Sequence, residues 1–475
     1  MKRLSSIAAR LSLILLLLVG LSACAVGPDF KTPQVETPQN YRFKKGPEEA
    51  VINLKWWELF HDPVLYTLVT QALEHNRDLK AAASRVEQAR AALGYTRADE
   101  YPAINIQAGA GTGNLSGGTR SNTRNSYAYA APALNWEIDF WGKFRRATES
   151  ARAELMASEY ALRTVQIGLI SAVVGTYYRL LDYHQRVNIS KETLASRKES
   201  LNIIQKRFKR GIITELDVNQ AQIQMEIAAA AIPQYERAVA QTENVLSILL
   251  GRLPEPVKTG KGLNQTSPPP QVPLGLPASL LERRPDIVEA MYVLKAQTAD
   301  IGVAEAMRLP AISLTGMLGV ASSELSNITS EGGAGSVSGG LFGPIFQFYK
   351  NIRRVEIEEA RTQEALYTYQ NTVLTAFQEV EDALVEIDTY HKQMAAVERK
   401  EKAARNANRL ANLRYNRGVS SYLEVLETER SLFSTQLELS ELKQQYLNAY
   451  VQLYKALGGG WPTKADMGQD KKSGS

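Results

Sequence analysis

Two glycines in the chain are each followed, within a few residues, by a pair of carboxylates. The pairs are Glu215 with Asp217, after Gly211, and Glu424 with Glu427, after Gly418. Residues three apart share one helical face, so Glu424 and Glu427 lie about one turn apart. Carboxylates held close together raise one another's pKa and attract cations. Acidic residues also favour helix starts because of the helix dipole, and the spacing alone leaves both interpretations open.

The chain contains one cysteine, Cys24, directly after an apolar leader. Lys2 and Arg3 precede the apolar run Leu11 to Leu18, an arrangement typical of a secretory signal. The leader ends Leu21-Ser22-Ala23-Cys24, which resembles the lipobox of bacterial lipoproteins. That resemblance implies cleavage before Cys24 and acylation of the new N-terminal residue. The alternative is an ordinary signal peptide with a chance cysteine nearby.

The sequence gives little reason to expect an enzyme, a metal site or a nucleic-acid partner. The four histidines, which show no metal-ligand spacing, are His61, His75, His184 and His391. Gly109, Gly111 and Gly113 lie within an alternating strand pattern and not before a helix, so a phosphate loop is disfavoured. There is no Walker motif and no nucleophile elbow. The formal net charge of +5 falls to about +2 without the leader's basic residues, which gives no reason to expect nucleic acid. No cofactor is expected beyond a covalent lipid.

The chain contains an internal repeat. The matching segments are Leu73–Asp78 with Leu281–Asp286, Pro102–Ile104 with Pro310–Ile312, Arg145-Arg146 with Arg353-Arg354, and Arg207–Gly211 with Arg414–Gly418. A collinear series of this kind predicts that both halves share one fold. Between them, the stretch from Arg252 to Pro277 contains seven prolines and is expected to be an irregular linker.

Each half predicts a helix, two strands, a long helix, a glycine turn and a returning helix. The first helices are expected over 63–97 and 278–307. The strands are expected over about 102–140 and 310–348, because apolar residues alternate with polar or small ones, as from Ile104 to Ala110. Thr214 and either Ser420 or Ser421 are expected to cap the returning helices.

Apolar residues recur in steps of seven in both long helices. They are Leu180, Val187, Leu194, Leu201 and Phe208 in one half, and Leu366, Val373, Val380, Ile387 and Met394 in the other. Sustained heptads predict packed helices with left-handed supercoiling. A single helix from Arg145 to Arg207 would be about 95 Å long at 1.5 Å per residue.

Four strands of membrane-spanning length cannot form a sealed wall in lipid. The edges of an open sheet would leave N–H and C=O groups unpaired at several kcal/mol each, and membrane barrels need roughly eight strands or more. Either the strands stay in water, as hairpins on a soluble coiled-coil protein, or several copies pool them. A dimer would supply eight strands and a trimer twelve.

Several motifs resemble the outer-membrane factor family, the TolC-like and OprM-like exit ducts of efflux and secretion systems. They are Cys24–Phe30, Trp56-Trp57, Phe377–Leu384 and Tyr454–Trp461, the last resembling the NodT-type lipoprotein branch. The resemblance implies a mainly α fold with membrane β structure. Three copies would form a 12-stranded outer-membrane β-barrel that continues into a periplasmic α-barrel of long coiled helices.

The resemblance also implies partners and a location. The chain would lie in the outer membrane of a Gram-negative bacterium as a lipid-anchored homotrimer. A periplasmic adaptor (membrane fusion) protein and an inner-membrane pump, of the RND type, would deliver small toxic compounds to it. Alternatives are the outlet of a type I protein secretion system and a structural envelope lipoprotein. A passive porin would require a mostly β chain.

The same resemblance implies a gate at the periplasmic tips, which Gly211 and Gly418 would form. Asp217, Glu424 and Glu427 would line or brace the constriction, and Tyr415 would tie the inner to the outer helices. The family pattern usually has Asp at the two later acidic positions, where this chain has Glu. Ser420 replaces a charged bracing residue of one branch.

The expected organisation of the chain has six parts. They are a signal peptide (1–23), a lipid-anchored extended segment (24–62), repeat 1 (63–251), a linker (252–277), repeat 2 (278–462) and a polar C-terminal tail (463–475).

Overall fold

The structure is a computed structural model that describes residues 25–43, 61–113, 125–268, 277–322 and 333–459. Several predicted features lie outside these residues. They are the signal peptide, Cys24, Trp56-Trp57, the loops between the strands of each hairpin, Trp461 and the C-terminal tail.

Helices and strands follow one another in the same order in both halves. The elements are α1 (Pro63–His75), α2 (Arg77–Ala98), β1 (Ala103–Gly113), β2 (Asn125–Ile138), α3 (Lys143–Lys209), α4 (Glu215–Leu249), α5 (Leu280–Arg283), α6 (Pro285–Ala306), β3 (Ala311–Ser322), β4 (Gly333–Phe342), α7 (Lys350–Asn416) and α8 (Tyr422–Ala456). The paired helices have equal lengths: 67 residues in α3 and α7, and 35 in α4 and α8. Among the residues described, no helix is both long enough and apolar enough to cross a membrane.

Two compact units divide the chain. The strand unit comprises the described residues of Met1–Val35, Arg85–Glu159 and Glu289–Gln370. The helical unit comprises those of Glu36–Ser84, Tyr160–Val288 and Asn371–Ser475. The long helices α3 and α7 each contribute residues to both units.

The strand unit contains one antiparallel sheet in the order β1-β2-β3-β4. Each half supplies one hairpin, and the pairing of β2 with β3 joins the halves, with Ile138 opposite Ile312. β1 and β4 are the two edges, so each pairs on one side only within the described chain. The strands contain 11, 14, 12 and 10 residues, or roughly 35–45 Å at about 3.3 Å per residue.

The last strand is shorter than the alternation predicts. The sequence predicts strand over 310–348, whereas β4 ends at Phe342. Pro344 lies two residues later and has no N–H to continue a ladder. Phe348 and Tyr349 then adopt left-handed φ angles of 46° and 64°, which turn the chain into α7. β2 similarly ends at Ile138, two residues before the predicted limit.

The two halves are offset by 208 residues before the second hairpin and by 207 residues after it. β1 and β3 start at Ala103 and Ala311, whereas α3 and α7 start at Lys143 and Lys350. The sequence pairs Arg145-Arg146 with Arg353-Arg354. The helix starts instead make Arg146 equivalent to Arg353, because the segment from β3 to α7 is one residue shorter than the segment from β1 to α3.

The first helix of each half is broken, where the sequence predicts one continuous helix. Asn76 separates α1 from α2; its side chain accepts the N–H of Leu79 (2.9 Å) and donates to the carbonyl of Leu249 (2.9 Å). In the second half Arg284 precedes Pro285, which disfavours helical geometry at the residue before it. Arg284 donates to the carbonyl of Ala456 (3.1 Å). Asn76 and Arg284, which interrupt the two helices, thus each bind the last turn of a returning helix.

Nine of the ten predicted heptad residues lie in the helical unit, and Leu366 lies in the strand unit. Leu180, Val187, Val373 and Val380 are all buried, whereas Phe208, near the glycine turn, is 42% exposed. The beginning of the linker packs onto this core, since Val257 and Leu263 are buried. Gly260 donates its N–H to the hydroxyl of Tyr177 (3.0 Å).

Gly251 provides a test of the turn after α4. Its φ is 71°, and a Cβ there would lie 2.3 Å from the carbonyl oxygen of His75. Gly211 has a similar φ of 68° but open space around it. Both Gly→Ala changes incur the left-handed penalty of about 1–2 kcal/mol, and only Gly251→Ala adds a backbone clash. We expect Gly251→Ala to lower the thermal unfolding midpoint more than Gly211→Ala, as followed by circular dichroism; equal losses would contradict this packing.

Asp300 provides a test of pH dependence in the strand unit. Burial raises the pKa of Asp300 to about 6, with Glu154 and Glu358 raising it further against a hydrogen bond from Ser150. The folded protein therefore binds this proton more tightly than the unfolded chain, so stability falls as pH rises from about 4 to about 6. We expect Asp300→Asn to weaken the pH dependence of the thermal unfolding midpoint between about pH 4 and 6. Asp99→Asn, which changes an exposed carboxylate, is the control and should leave that dependence unchanged. An unchanged pH profile would refute this assignment.

Candidate functional site: the apolar sheet face and the helix turns

One face of the sheet carries apolar side chains on all four strands. Ile104 pairs with Leu134, Leu134 with Gly316, and Gly316 with Val337. Directly paired residues share a face, and so do residues two apart along a strand. The same face therefore also carries Ile106, Pro132, Trp136, Ile138, Ile312, Leu314, Leu318 and Leu341.

Many of these apolar side chains have no cover. The exposed fractions are 71% for Ile104, 83% for Ile106, 73% for Leu318, 82% for Val337 and 72% for Leu341. Burying a side chain of this size is worth about 1.5–3 kcal/mol. A contiguous exposed surface of this kind therefore requires an apolar environment.

The opposite face of the sheet is mostly polar or small, apart from Tyr129, Met317 and Phe342. It carries Asn105, Gln107, Asn135, Glu137, Ser313, Thr315 and Ser338. Thr315 and Ser338 exchange a hydroxyl hydrogen bond of 2.7 Å across β3 and β4. The sheet thus separates an apolar surface from a predominantly polar one.

In the helical unit, two glycine turns reverse the chain between long and returning helices. Gly211 and Gly418 have φ angles of 68° and 75°, which residues other than glycine rarely adopt. Ile212 and Val419 each donate an N–H back into the preceding helix, to the carbonyls of Arg207 and Arg414. Thr214 and Ser421 occupy the N-cap positions of α4 and α8, as the sequence predicts.

The acidic residues after these turns differ in their contacts. Asp217 accepts hydrogen bonds from the N–H (3.1 Å) and the hydroxyl (3.0 Å) of Thr214, so it caps α4. Glu424 lies 3.6 Å from Arg414, and Glu427 lies 3.6 Å from Arg430. Both glutamates are exposed, which makes these pairs weak.

Tyr415 touches two other helices. The guanidinium of Arg207, in the last turn of α3, lies 4.6 Å from the centre of its ring. The ring of Tyr422, in the first turn of α8, lies 5.2 Å away. The Tyr415 hydroxyl is buried and finds no hydrogen-bond partner in the described part of the chain. The contact that connects α3, α7 and α8 is therefore made by the ring.

Arg207 and Arg414 are functional candidates that sequence reasoning missed. They occupy equivalent positions in the doubled Arg-aromatic-x-Arg-Gly motif. Arg207 donates to the side chain of Asn416 (3.1 Å) in addition to its ring contact. The sequence signal for them was that an arginine precedes both turn glycines at the same spacing. That signal did not reveal which residues the arginines contact.

The described residues contain no group of three or more His, Cys, Asp and Glu side chains that is placed to hold a metal ion. His391 packs its ring 5.9 Å from that of Tyr446, as a structural residue would. Burial lowers the pKa of His184.

The sequence profile of a family described as outer membrane efflux protein matches residues 68–252 and again 276–459. The chain belongs to the outer membrane efflux protein family. It is 35% identical to the probable efflux pump outer membrane protein TtgC of Pseudomonas putida, over 93% of each chain. It is 33% identical to the probable outer membrane lipoprotein SilC of Salmonella typhimurium, over 93% of this chain and 96% of the relative.

Solved structures agree with the family assignment. The outer-membrane channel OprN superposes with a TM-score of 0.84 at 30% identity, covering 92% of this chain and 100% of that one. The protein is thus an efflux channel component of the outer membrane, with a mainly helical fold and four antiparallel strands. The predicted family, function and location are confirmed.

Besides the contacts of Tyr415, this efflux protein has a second layer of contacts between helices, centred on Arg197, 14 residues before Gly211. Arg197 of α3 is 3% exposed and donates to the carbonyls of Gln224 in α4 (2.6 Å) and Glu429 in α8 (3.4 Å). Its guanidinium lies 5.1 Å from the ring of Phe433. The equivalent position in the second half is Ala404, so this connection exists once per chain.

The layer around Arg197 contains unpaired polar atoms. Glu429 is 8% exposed, and its Oε2 has no hydrogen-bond partner among the described residues; the same holds for Arg197 Nε. Burial raises the pKa of Glu429, while Arg197 opposes that rise. A cavity of about 180 Å³ adjoins both side chains, which is room for water to satisfy them. Sequence reasoning missed this layer because Arg197 and Glu429 are far apart in the chain.

The ring contact of Tyr415 generates a direct test. Tyr415→Ala removes the stacking on Arg207 and on Tyr422, worth about 1–2 kcal/mol together. Tyr415→Phe keeps the ring and loses only the unpaired hydroxyl. We expect Tyr415→Ala to raise the resting conductance of the purified channel in planar bilayers and Tyr415→Phe to match the parent. An equal rise in both variants would show that the hydroxyl is the essential group, and parent-like conductance in both would show that the ring contact has no such role.

Proposed function

We propose that three copies of this chain form the exit duct of a tripartite efflux system, with their sheets joined in one 12-stranded outer-membrane barrel. The observation that carries this proposal is the exposed apolar face of a sheet with two unpaired edges. In lipid each unpaired N–H or C=O group costs several kcal/mol, so open edges must be closed. Joining β4 of one copy to β1 of the next closes all edges at once.

In this arrangement the apolar face contacts lipid and the polar face lines the pore. The long helices of the three copies would form a periplasmic α-barrel. The equal helix lengths in the two halves support the proposal that residues 63–251 and 278–462 are copies of one unit, joined by the linker 252–277. A barrel built from equivalent helix pairs needs such equal lengths.

Cys24 is the proposed lipid attachment site. The lipobox-like leader before it supports acylation, and SilC, a relative, is itself a probable outer membrane lipoprotein. An acyl chain contributes about 0.8 kcal/mol per buried CH₂, so several chains on one residue hold it firmly in a bilayer.

The glycine turns are the proposed periplasmic gate. Tyr415 would keep the tips closed through its contacts with Arg207 and Tyr422, which bridge α3 and α8. Asp217 would act indirectly, as the cap of α4. Glu424 and Glu427 are exposed beside the second turn, and in a trimer each becomes a ring of three carboxylates.

Energy and cargo would come from two partners, a periplasmic adaptor protein and an inner-membrane pump of the RND type. The efflux pump membership of TtgC supports such an assembly. Small toxic compounds are the proposed cargo. A type I protein-secretion outlet would require that a polypeptide pass through the same tips. A structural envelope lipoprotein would form no conducting pore.

The mass and conductance of detergent-extracted protein test the assembly. The proposal expects a particle of three chains that conducts in planar bilayers. A monomer, or a trimer that never conducts, would exclude it.

The acidic pair near Gly418 is expected to make the tip prefer cations, since close-set carboxylates concentrate counter-ions. The double change Glu424→Gln with Glu427→Gln should lower the cation-to-anion permeability ratio about twofold or more. Reversal potentials in asymmetric KCl measure this ratio. Glu215→Gln, an exposed acid in the first turn of α4, serves as control. An unaltered ratio in the double variant would exclude a lining role.

A further inference from the structure

The residues directly after Cys24 bind to the strand unit through Arg146. This arginine lies in the first turn of α3, and its side chain is 8% exposed. It donates to the carbonyls of Val26 (3.2 Å) and Gly27 (3.2 Å) and to the carboxylate of Asp29 (2.8 Å). Glu149, one turn further along α3, accepts from the same guanidinium (2.8 Å). One buried cation thus binds three acceptors of the N-terminal segment.

Backbone contacts fix the same segment at the turn between β2 and α3. Val26 donates its N–H to the carbonyl of Trp141 (3.0 Å). Gly27 has a φ of 94°, and a Cβ there would lie 2.4 Å from the Cα of Gly302 in α6. Gly142 has a φ of 80°, and its Cβ would lie 2.7 Å from the Cβ of Ala25. Only glycine fits at Gly27 and Gly142, so the segment and its binding surface match closely.

The second half of the chain has the equivalent residues, and no segment among the described residues is bound to them. Arg353 stands at the position of Arg146 and pairs with Glu356 (2.6 Å), as Arg146 pairs with Glu149. Its side chain is nevertheless 72% exposed. Gly94 is equivalent to Gly302, and a Cβ added there would meet no described atom within 4 Å. The burial of Arg146 is therefore not required by the fold of a half and depends on segment 25–29.

We propose that Trp141, Gly142, Arg146, Glu149 and Gly302 form an N-terminal docking site that sets where the lipid on Cys24 enters the membrane. This inference rests on the proposed acylation of Cys24 and the proposed membrane position of the sheet. Ala25 contacts Gly142, and Cys24 directly precedes Ala25 in the sequence. The acyl chains therefore leave the protein beside the helix-proximal end of β2.

This location determines the depth of the sheet. A lipid on a free tether would hold the chain at the membrane but leave its height and tilt undetermined. A docked tether lets the acyl chains bury fully at only one height of the sheet, in the leaflet that faces the helices. The docking site thereby aligns the apolar face of the sheet with the bilayer before neighbouring copies join.

Depth-dependent fluorescence quenching tests the docking site in the full-length, acylated protein. Ile104→Cys places the only other thiol of the chain at the helix-proximal end of β1, where it is exposed. A fluorophore there is quenched by lipids brominated at different carbon positions. Arg146→Ala and Gly27→Ala disrupt the site from its two sides, and Arg353→Ala and Gly94→Ala are the matched controls.

We expect the parent and both controls to give one sharp quenching depth. Arg146→Ala and Gly27→Ala should remain acylated and membrane-bound but give a broader depth profile and roughly tenfold fewer conducting channels, because the lipid no longer aligns the sheet. Gly27 lies outside every helix and strand, so its variant leaves their cores intact. Disruptive variants that match the controls in depth and channel yield would overturn the docking proposal alone. A parent fluorophore that no brominated lipid quenches would overturn the membrane position of the sheet, and the docking proposal with it.

Discussion

An open four-stranded sheet with an exposed apolar face is the constraint on which the rest of this structure depends. The face runs without interruption across both halves, because β2 and β3 pair in a register that keeps Ile138 opposite Ile312. Water disfavours such a surface, whereas lipid accepts it but penalises the open edges of β1 and β4. Both penalties disappear when copies of the chain close their sheets into a cylinder. In the proposed assembly, a pore is the direct consequence of that closure.

The helical unit meets a different requirement, which is to reverse very long helices without loosening them. Glycines with positive φ make the turns, and Asn76 and Arg284 secure the far ends of the returning helices through carbonyl contacts. At the near ends, aromatic rings and arginines make the contacts between helices, and the acids are more exposed. If these turns form the proposed gate, stacked rings would let it open without breaking strong buried ion pairs.

Departures from the internal repeat mark the places where the two halves act differently. Arg146 is buried against the N-terminal segment, whereas Arg353 is exposed in the equivalent position. Arg197 connects three helices, whereas Ala404 occupies its equivalent position. The repeated residues explain the common fold. The residues without an equivalent give the first half an attachment to the N-terminus and a buried arginine, Arg197, that contacts helices of both halves.

The sequence by itself determined the family, the order of helices and strands, and the glycine turns, because these depend on local periodicity and on motifs that are contiguous in the chain. It predicted the ends of strands and helices less well. Asn76 breaks a periodic helix through a contact with Leu249, which is 173 residues away. Only the tertiary structure decided that Asp217 caps a helix, that Tyr415 stacks under Arg207, and that Arg146 holds residues 25–29. Each of these contacts joins residues whose approach is set by packing, and periodicity along one element carries no information about its neighbours.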